Sequence, residues 1–123
     1  MTATDPRGWD APAEICLSND DTLTLRRLTL LFHCNADFGC DSLPLEITVS
    51  TPDSLIWSEH FTARPLLRRK VAAVAMTAGV PYREDVVLGR PGDYTFELTP
   101  CCPVRGVEAA GIKIEPMNPP AKR

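Results

Sequence analysis

The sequence predicts an all-β domain, an antiparallel, jelly-roll-like β-sandwich of about seven or eight strands. Segments in which apolar and polar residues alternate recur about every ten residues, which is typical of sandwiches and barrels. Pro, Gly and Asp residues separate these segments at positions suited to turns. The chain also has 12 prolines in 123 residues, and proline is poorly tolerated inside helices and central strands.

The composition is that of one globular domain, with 44% hydrophobic and 24% charged residues. We predict a partly flexible leader at residues 1–13, a single sandwich at residues 14–115 and a tail at residues 116–123. The net charge of −3 offers no broad positive surface, so no nucleic-acid partner is expected. No apolar run reaches the ~20 residues that cross a bilayer, and residues 1–10 lack the apolar stretch of a signal peptide.

The leader is expected to be ordered only if Trp9 docks on the body of the domain. Residues 14–17 are predicted to form a short strand. Residues 19–21 read Asn-Asp-Asp and predict a turn, because such side chains bond to nearby backbone.

The next segment, residues 22–33, is apolar but changes phase along its length. Leu23 and Leu25 would share one face, and the apolar residues from Leu28 onward would share another face. A bulge or bend at the two arginines, residues 26–27, would reconcile the two alternations.

The clearest strand of the chain is predicted at residues 43–50, where four apolar residues alternate with polar ones or proline. Residues 51–54 predict a turn, with Pro52 at the position that presets φ. Residues 56–62 then return as a second strand, so this region is predicted to form a hairpin.

Residues 64–79 admit two interpretations, a short helix that ends at Gly79 or a basic loop followed by a strand through residues 71–77. We favour loop and strand. The remaining strands are predicted at residues 82–88, 94–99 and 107–115.

Several motifs resemble segments of the gliding-motility lipoprotein H (GldH-like) family. In the last third of the chain these are Tyr82–Val87, Pro91–Phe96, Gly106–Val107 and Ala110–Glu115. Upstream, segments in the family's order are Trp9, Leu28–His33, Ser42–Leu45 and Thr51–Asp53. Residues 63–80 and the pair Cys101-Cys102 do not match the family pattern.

The resemblance implies a cell-envelope lipoprotein with a β-sandwich body that faces the periplasm and serves gliding motility or a related envelope system. It implies other cell-envelope proteins as partners. Membrane attachment would come only through a lipid anchor, whose signal peptide and lipidated cysteine this chain lacks. The resemblance transfers no catalytic residue.

The densest polar cluster lies at residues 33–41 and includes Cys34 and Cys40. Zinc needs four ligands arranged as a tetrahedron, but this cysteine spacing is not a zinc knuckle, and the adjacent Cys101 and Cys102 would point apart. We therefore expect no metal and no cofactor. If the protein matures outside the cytosol, we expect one disulfide, which joins the two cysteine loops or closes the Cys34–Cys40 ring.

The sequence offers no pair of residues suited to nucleophilic catalysis, so the chain is not predicted to be an enzyme. Such a pair needs a cysteine beside a histidine, and the adjacent His33 and Cys34 would face opposite sides of a strand. The only other histidine is His60. Most carboxylates fall on turns or outward positions, where solvation is the simpler interpretation.

The predicted function is that of a non-catalytic protein-interaction or assembly module. A short basic run, Arg64, Arg68, Arg69 and Lys70, is the candidate interaction surface, although a solvated loop is the default interpretation of such charges.

Two other functions remain open. A carbohydrate-binding module would use exposed aromatic residues, for which the candidates are Trp9, Trp57, Tyr82 and Tyr94, and a glycan would then be the partner. A small metal- or thiol-dependent enzyme is the third alternative.

Overall fold

The computed structural model describes residues 2–35, 37–39, 42–64 and 76–116. These described residues form eight strands: β1 (Thr2–Ala3), β2 (Ala13–Asn19), β3 (Leu25–Cys34), β4 (Leu43–Ser50), β5 (Ile56–Ala63), β6 (Met76–Val87), β7 (Gly92–Pro100) and β8 (Val107–Pro116). This part of the chain contains no helix long and apolar enough to span a membrane. The predicted all-β class is confirmed.

The strands form two four-stranded antiparallel sheets, with the orders β1-β8-β3-β6 and β2-β7-β4-β5. This is the strand order of a jelly roll, in which the chain alternates between the sheets except at the β4–β5 hairpin. The short β1 and β2 are the edge strands on one side of the sandwich. On the other side, the edges are β5 and β6.

The core lies between the sheets and follows the predicted alternation. In β4 the four apolar residues at odd positions are buried, and in β7 Tyr94, Phe96 and Leu98 are buried. Each such side chain stabilises the fold by about 1.5–3 kcal/mol relative to an exposed position. The predicted strands at residues 43–50 and 94–99, and the hairpin through residues 51–55, are confirmed.

The sandwich has two ends, which we name by what they contain. At the Trp9 end lie the β3–β4 and β7–β8 connections and the loop before β2. At the cleft end lie three short turns at residues 20–24, 51–55 and 88–91.

The Trp9 end is closed by the leader. Trp9 is 2% exposed and exchanges backbone hydrogen bonds of 2.8 and 3.0 Å with Val104. Its indole N–H donates to the Ala11 carbonyl at 2.7 Å, and its ring lies 6.4 Å from that of Phe32. Gly106 has φ 90° and lies where a Cβ would collide with the Phe38 backbone, so only glycine fits there.

The expected phase change in the segment 22–33 is absent, which corrects the sequence prediction. Leu25 faces outward, and Arg26 shares the inner face with Leu28. The bulge exists, but the extra residues belong to β6, whose register against β3 shifts on both sides of Leu28, while β3 and β8 pair regularly from Arg26 to His33. The sequence of β3 therefore predicts a bulge that the structure places in its partner, β6.

Residues 76–87 form one strand, β6, where the sequence predicts a strand through residues 71–77 and a separate one at residues 82–88. β6 continues through Gly79 and Pro81. Proline has no N–H to donate to a neighbouring strand, and it is tolerated here because β6 lies at a sheet edge. The choice between helix and loop for residues 65–75 lies outside the described residues.

Candidate binding cleft

A cleft of about 340 Å³ enters between the two sheets at the cleft end, on the side of β5 and β6. Its walls are mainly aliphatic and aromatic side chains from both sheets, among them Leu28, Val49, Trp57, Val86, Leu88 and Phe96. Thr51 and Arg83 add polar groups at its margin. This volume falls within the usual range of ligand pockets, about 300–1,000 Å³.

The cleft exists because the two edge strands approach unevenly. We call the side of the sandwich bordered by β5 and β6 the open side. In its middle, Phe61 of β5 packs edge-on against Tyr82 of β6, with ring centroids 5.1 Å apart. Nearer the cleft end, Trp57 of β5 lies beside Val49 and faces the cleft with 45% of its surface exposed. The two register shifts of β6 lie on either side of Leu28, which lines the cleft together with Arg83 and Val86 of β6.

An ionic cluster marks the boundary between the packed and unfilled parts. The Tyr82 hydroxyl and the Arg83 guanidinium both donate hydrogen bonds to the Glu59 carboxylate. The Arg83 guanidinium also lies 5.2 Å from the centre of the Tyr82 ring. The cluster therefore links β5 to β6 across the open side.

The pKa values in this cluster follow from burial and charge. Burial raises the pKa of Glu59, but the hydrogen bonds from Arg83 and Tyr82 outweigh it and hold that pKa below its ordinary value. Burial and the Glu59 carboxylate together raise the pKa of Tyr82 to about 12. Glu59 is thus charged and Tyr82 neutral at physiological pH.

Exposed apolar side chains gather at the cleft end, and two of them, Trp57 and Val87, line the cleft itself. Among the described residues, the large hydrophobic side chains that stay exposed are Leu23, Leu25, Leu55, Ile56, Trp57 and Val87. All six lie at the cleft end, in its turns or at the strand ends beside them. Clustered exposed apolar side chains, unlike scattered ones, mark interaction sites.

The turns around the cleft are held by specific hydrogen bonds. The buried Asn19 side chain donates to the Leu88 and Arg90 carbonyls at 3.0 and 2.9 Å. Arg90 also forms a 3.4 Å ion pair with Asp53 of the β4–β5 turn. These contacts hold the turns that border the cleft in place.

Three of the four cysteines predicted as a possible disulfide region lie within the described residues. Cys34 is buried, and burial raises the pKa of its thiol to about 11. Cys101 and Cys102 are exposed free thiols, and Cys40 lies outside the described residues. A disulfide therefore stays a prediction.

His33 and Cys34 face opposite sides of β3, as the strand alternation predicts. His33 bonds outward to the Thr77 hydroxyl at 2.9 Å, whereas Cys34 lies in the core. In residues 2–35, 37–39, 42–64 and 76–116, no three His, Cys, Asp or Glu side chains meet in a group that could hold a metal ion.

The basic run is described only at its first residue. Arg64 is exposed and follows β5 at the Trp9 end, whereas Arg68, Arg69 and Lys70 lie outside the described residues. Whether this run forms an interaction surface stays a prediction.

Of the four aromatic residues considered for sugar binding, Trp9 and Tyr94 are buried and Tyr82 is half-buried. Only Trp57 presents an exposed ring. Glu59 lies two residues from Trp57 on β5, whereas Arg83 and Val86 lie on β6 and reach the cleft only because the two sheets pack face to face, which no local pattern of the sequence encodes. The one local signal was the apolar run Leu55–Trp57 beside a turn.

Comparison with known proteins found no family model, no curated protein and no solved structure that matches this chain.

Proposed function

We propose that this domain is a non-catalytic interaction module that binds its partner at the cleft end. The observation that carries the proposal is the coincidence of two features. The apolar cleft lies at the same end as all six exposed large hydrophobic side chains of the described residues. A partner that covered this end would remove both from water, and each Å² of apolar surface buried contributes about 25 cal/mol.

The chemistry of the described residues supports binding rather than catalysis. The thiol of Cys34 is buried and its pKa is raised, which disfavours the nucleophilic thiolate. The carboxylate of Glu59 is engaged by Arg83 and Tyr82 and supports the link between the edge strands. Both groups are accounted for by the stability of the fold.

An envelope setting for this module rests on the resemblance to the gliding-motility lipoprotein H family. In that setting the partner is another cell-envelope protein, and the domain assists the assembly of a gliding-related or similar system. A sandwich held by a lipid anchor would leave one end free to contact other proteins.

Site-specific photo-crosslinking tests the proposed surface. A photoreactive phenylalanine analogue is placed at Trp57 or Val87 in the protein expressed in its own cells. Matched controls carry it at the exposed positions Arg64 and Arg105, at the Trp9 end. We expect one discrete adduct, with the same partner identified by mass spectrometry, from positions 57 and 87.

Adducts that form only from positions 64 or 105 would reject the cleft end as the interface. An adduct from position 64 alone would instead favour the basic run. If all four positions give only diffuse or no adducts, the domain is not an interaction module in these cells.

A glycan is the second candidate partner, favoured by the half-exposed ring of Trp57 at the mouth of the cleft. Flat apolar faces of sugars stack on such rings, but sugars also need several polar partners, and the cleft margin offers chiefly Thr51 and Arg83. A glycan array separates the two candidates. Binding that Trp57→Ala abolishes would establish the carbohydrate-binding function.

A further inference from the structure

We infer that the partner binds as an extended peptide strand, which pairs with the free edge of β5 and inserts apolar side chains into the cleft. The inference rests on the proposed function and names the form of the partner. It follows from a difference between the two edge strands that border the cleft.

β6 has the features by which edge strands avoid pairing. It contains Gly79 and Pro81, its register against β3 shifts twice, and Asp85 has φ 59°. Charged residues follow one another at positions 83–85. Bulges, proline and charge all hinder the addition of another strand.

β5 has no bulge, no proline and no run of charges, and its one carboxylate, Glu59, is bound by Arg83 and Tyr82. Its register against β4 runs without a shift from Ala63 opposite Leu43 to Ile56 opposite Ser50. The strand contains no glycine, proline or lysine, and it begins with the exposed Ile56 and Trp57. Within the described residues β5 pairs only with β4, so its other edge presents regular, unpaired backbone groups.

The hydrogen-bond pattern identifies which groups are available. The Thr51 N–H donates to the Leu55 carbonyl at 2.9 Å, and bonded pairs alternate along an antiparallel ladder. Residues 57, 59 and 61 therefore bond to β4. Ile56, Ser58, His60 and Thr62 direct their N–H and C=O groups away from β4, toward the position of an added strand.

An added strand would place alternate side chains between the sheets. On β5 itself the inward positions are Trp57, Glu59 and Phe61, and the cleft begins beside Trp57. A strand next to β5 would direct its own inward side chains into the same space. The matching chemistry is a segment with apolar residues at every second position, of which at least one is bulky.

A second copy of this chain fits the edge less well. Antiparallel pairing of β5 with itself, centred on Glu59, would bring two Glu59 carboxylates opposite each other, and like charges in that position are destabilising. Each carboxylate also binds Arg83 and Tyr82 of its own chain. The structure therefore favours a different polypeptide.

A paired substitution at His60 tests the inference. His60 is exposed, and both His60→Ala and His60→Pro remove the imidazole, but only the proline removes the outward N–H. Proline is tolerated at an edge strand where the N–H faces solvent, so both variants should unfold cooperatively. The probes are peptides selected against the wild-type domain from a displayed library of random twelve-residue sequences.

We expect the selected peptides to alternate apolar and polar residues. Their affinity, measured by fluorescence anisotropy, should fall at least about tenfold in His60→Pro and change less than about twofold in His60→Ala. Trp57→Ala should weaken binding by a similar factor. N-methylation of every second amide of the peptide should abolish binding when the methylated amides face β5 and leave it unchanged when they face away. This test does not depend on whether His60→Pro folds.

Peptides whose binding depends on Trp57 but not on His60→Pro or N-methylation would overturn the strand inference and leave the proposed cleft function intact. A selection without binders would overturn the inference as well, while the crosslinks from positions 57 and 87 judge the function separately. Sedimentation that shows a wild-type dimer, dissociated by His60→Pro, would assign the edge to a second copy instead.

Discussion

The two tryptophans of this domain occupy opposite ends of one sandwich and have opposite environments. Trp9 is 2% exposed, donates a hydrogen bond from its indole, and packs near Phe32, whereas Trp57 is 45% exposed at the mouth of a cleft. Both sit beside apolar walls between the same two sheets. The difference indicates that the Trp9 end completes the core, while the cleft end offers apolar surface that the fold itself does not use.

The strongest test of this contrast is the removal of each ring. Trp9→Ala should lower the free energy of unfolding by about 3–5 kcal/mol, because it leaves a cavity in a packed region. Trp57→Ala should change it by less than about 1 kcal/mol, since much of that ring is already in water. Urea unfolding of the two variants measures both values, and equal losses would contradict the contrast.

A smaller effect is expected from a buried thiol near the Trp9 end. Cys34→Ser should lower the free energy of unfolding by about 2 kcal/mol, because it places a hydroxyl in the core without a hydrogen-bond partner. The matched control Cys16→Ser changes an exposed thiol and should leave stability nearly unchanged. In the native wild type, iodoacetamide should alkylate Cys16, Cys101 and Cys102 but not Cys34, and rapid alkylation of Cys34 would argue against its burial.

The ionic link across the open side should contribute less, and its contribution should depend on pH. Because the pKa of Glu59 is lowered, its stabilisation is present above the ordinary pKa of about 4.3 and is lost as pH falls through the lower folded value. Glu59→Gln should therefore lower the free energy of unfolding by only about 1 kcal/mol at pH 7. The effect is small because Arg83 is half-exposed and water screens its charge.

Urea unfolding at pH 7 and pH 3 checks this dependence. The difference between the free energies of unfolding of wild type and Glu59→Gln should narrow at pH 3, which lies below the ordinary pKa of about 4.3, where protonation begins to remove the stabilisation. Glu46→Gln, at an exposed position of β4, should show little difference at either pH. If the stability difference between wild type and Glu59→Gln were the same at pH 3 as at pH 7, the charge of Glu59 would not be the source of its stabilising effect.

The smallest stability effect is expected from the basic run. If its charges are solvated, replacement of Arg64, Arg68, Arg69 and Lys70 together by Ser should alter the melting temperature little, because solvated charges contribute little to stability. Because the proposed interface lies at the cleft end, recovery of envelope partners in a pull-down should stay unchanged. A fall in yield would instead assign recognition to the basic run, as the sequence-based hypothesis has it.

Much of the fold could be predicted from sequence because its strongest signals are local. The alternation in β4 and β7 predicts both strands, and the proline turn at residues 51–54 predicts the hairpin. The phase of β3 could not be predicted in this way, because the bulges on either side of Leu28 lie in the partner strand β6. Pairing across about 50 intervening residues is not encoded in the alternation of either strand.

The cleft was out of reach for the same reason. Trp57 and Val87 meet only because a jelly roll places the edge strands β5 and β6 on one side of the sandwich. The sequence identified Trp57 as one of four aromatic candidates but could not separate it from the buried Trp9. Its apolar neighbours at the turn were the only local indication of exposure.

Fluorescence of single-tryptophan variants tests the central claim most directly. Trp9→Phe leaves Trp57 as the only tryptophan, and Trp57→Phe leaves Trp9. We predict that acrylamide strongly quenches Trp57 in the free protein and barely quenches Trp9. Addition of the partner that crosslinks to position 57 should then protect Trp57 alone. Equal, weak quenching of both rings in the free protein would contradict the account, because the cleft end would already be covered by the domain itself.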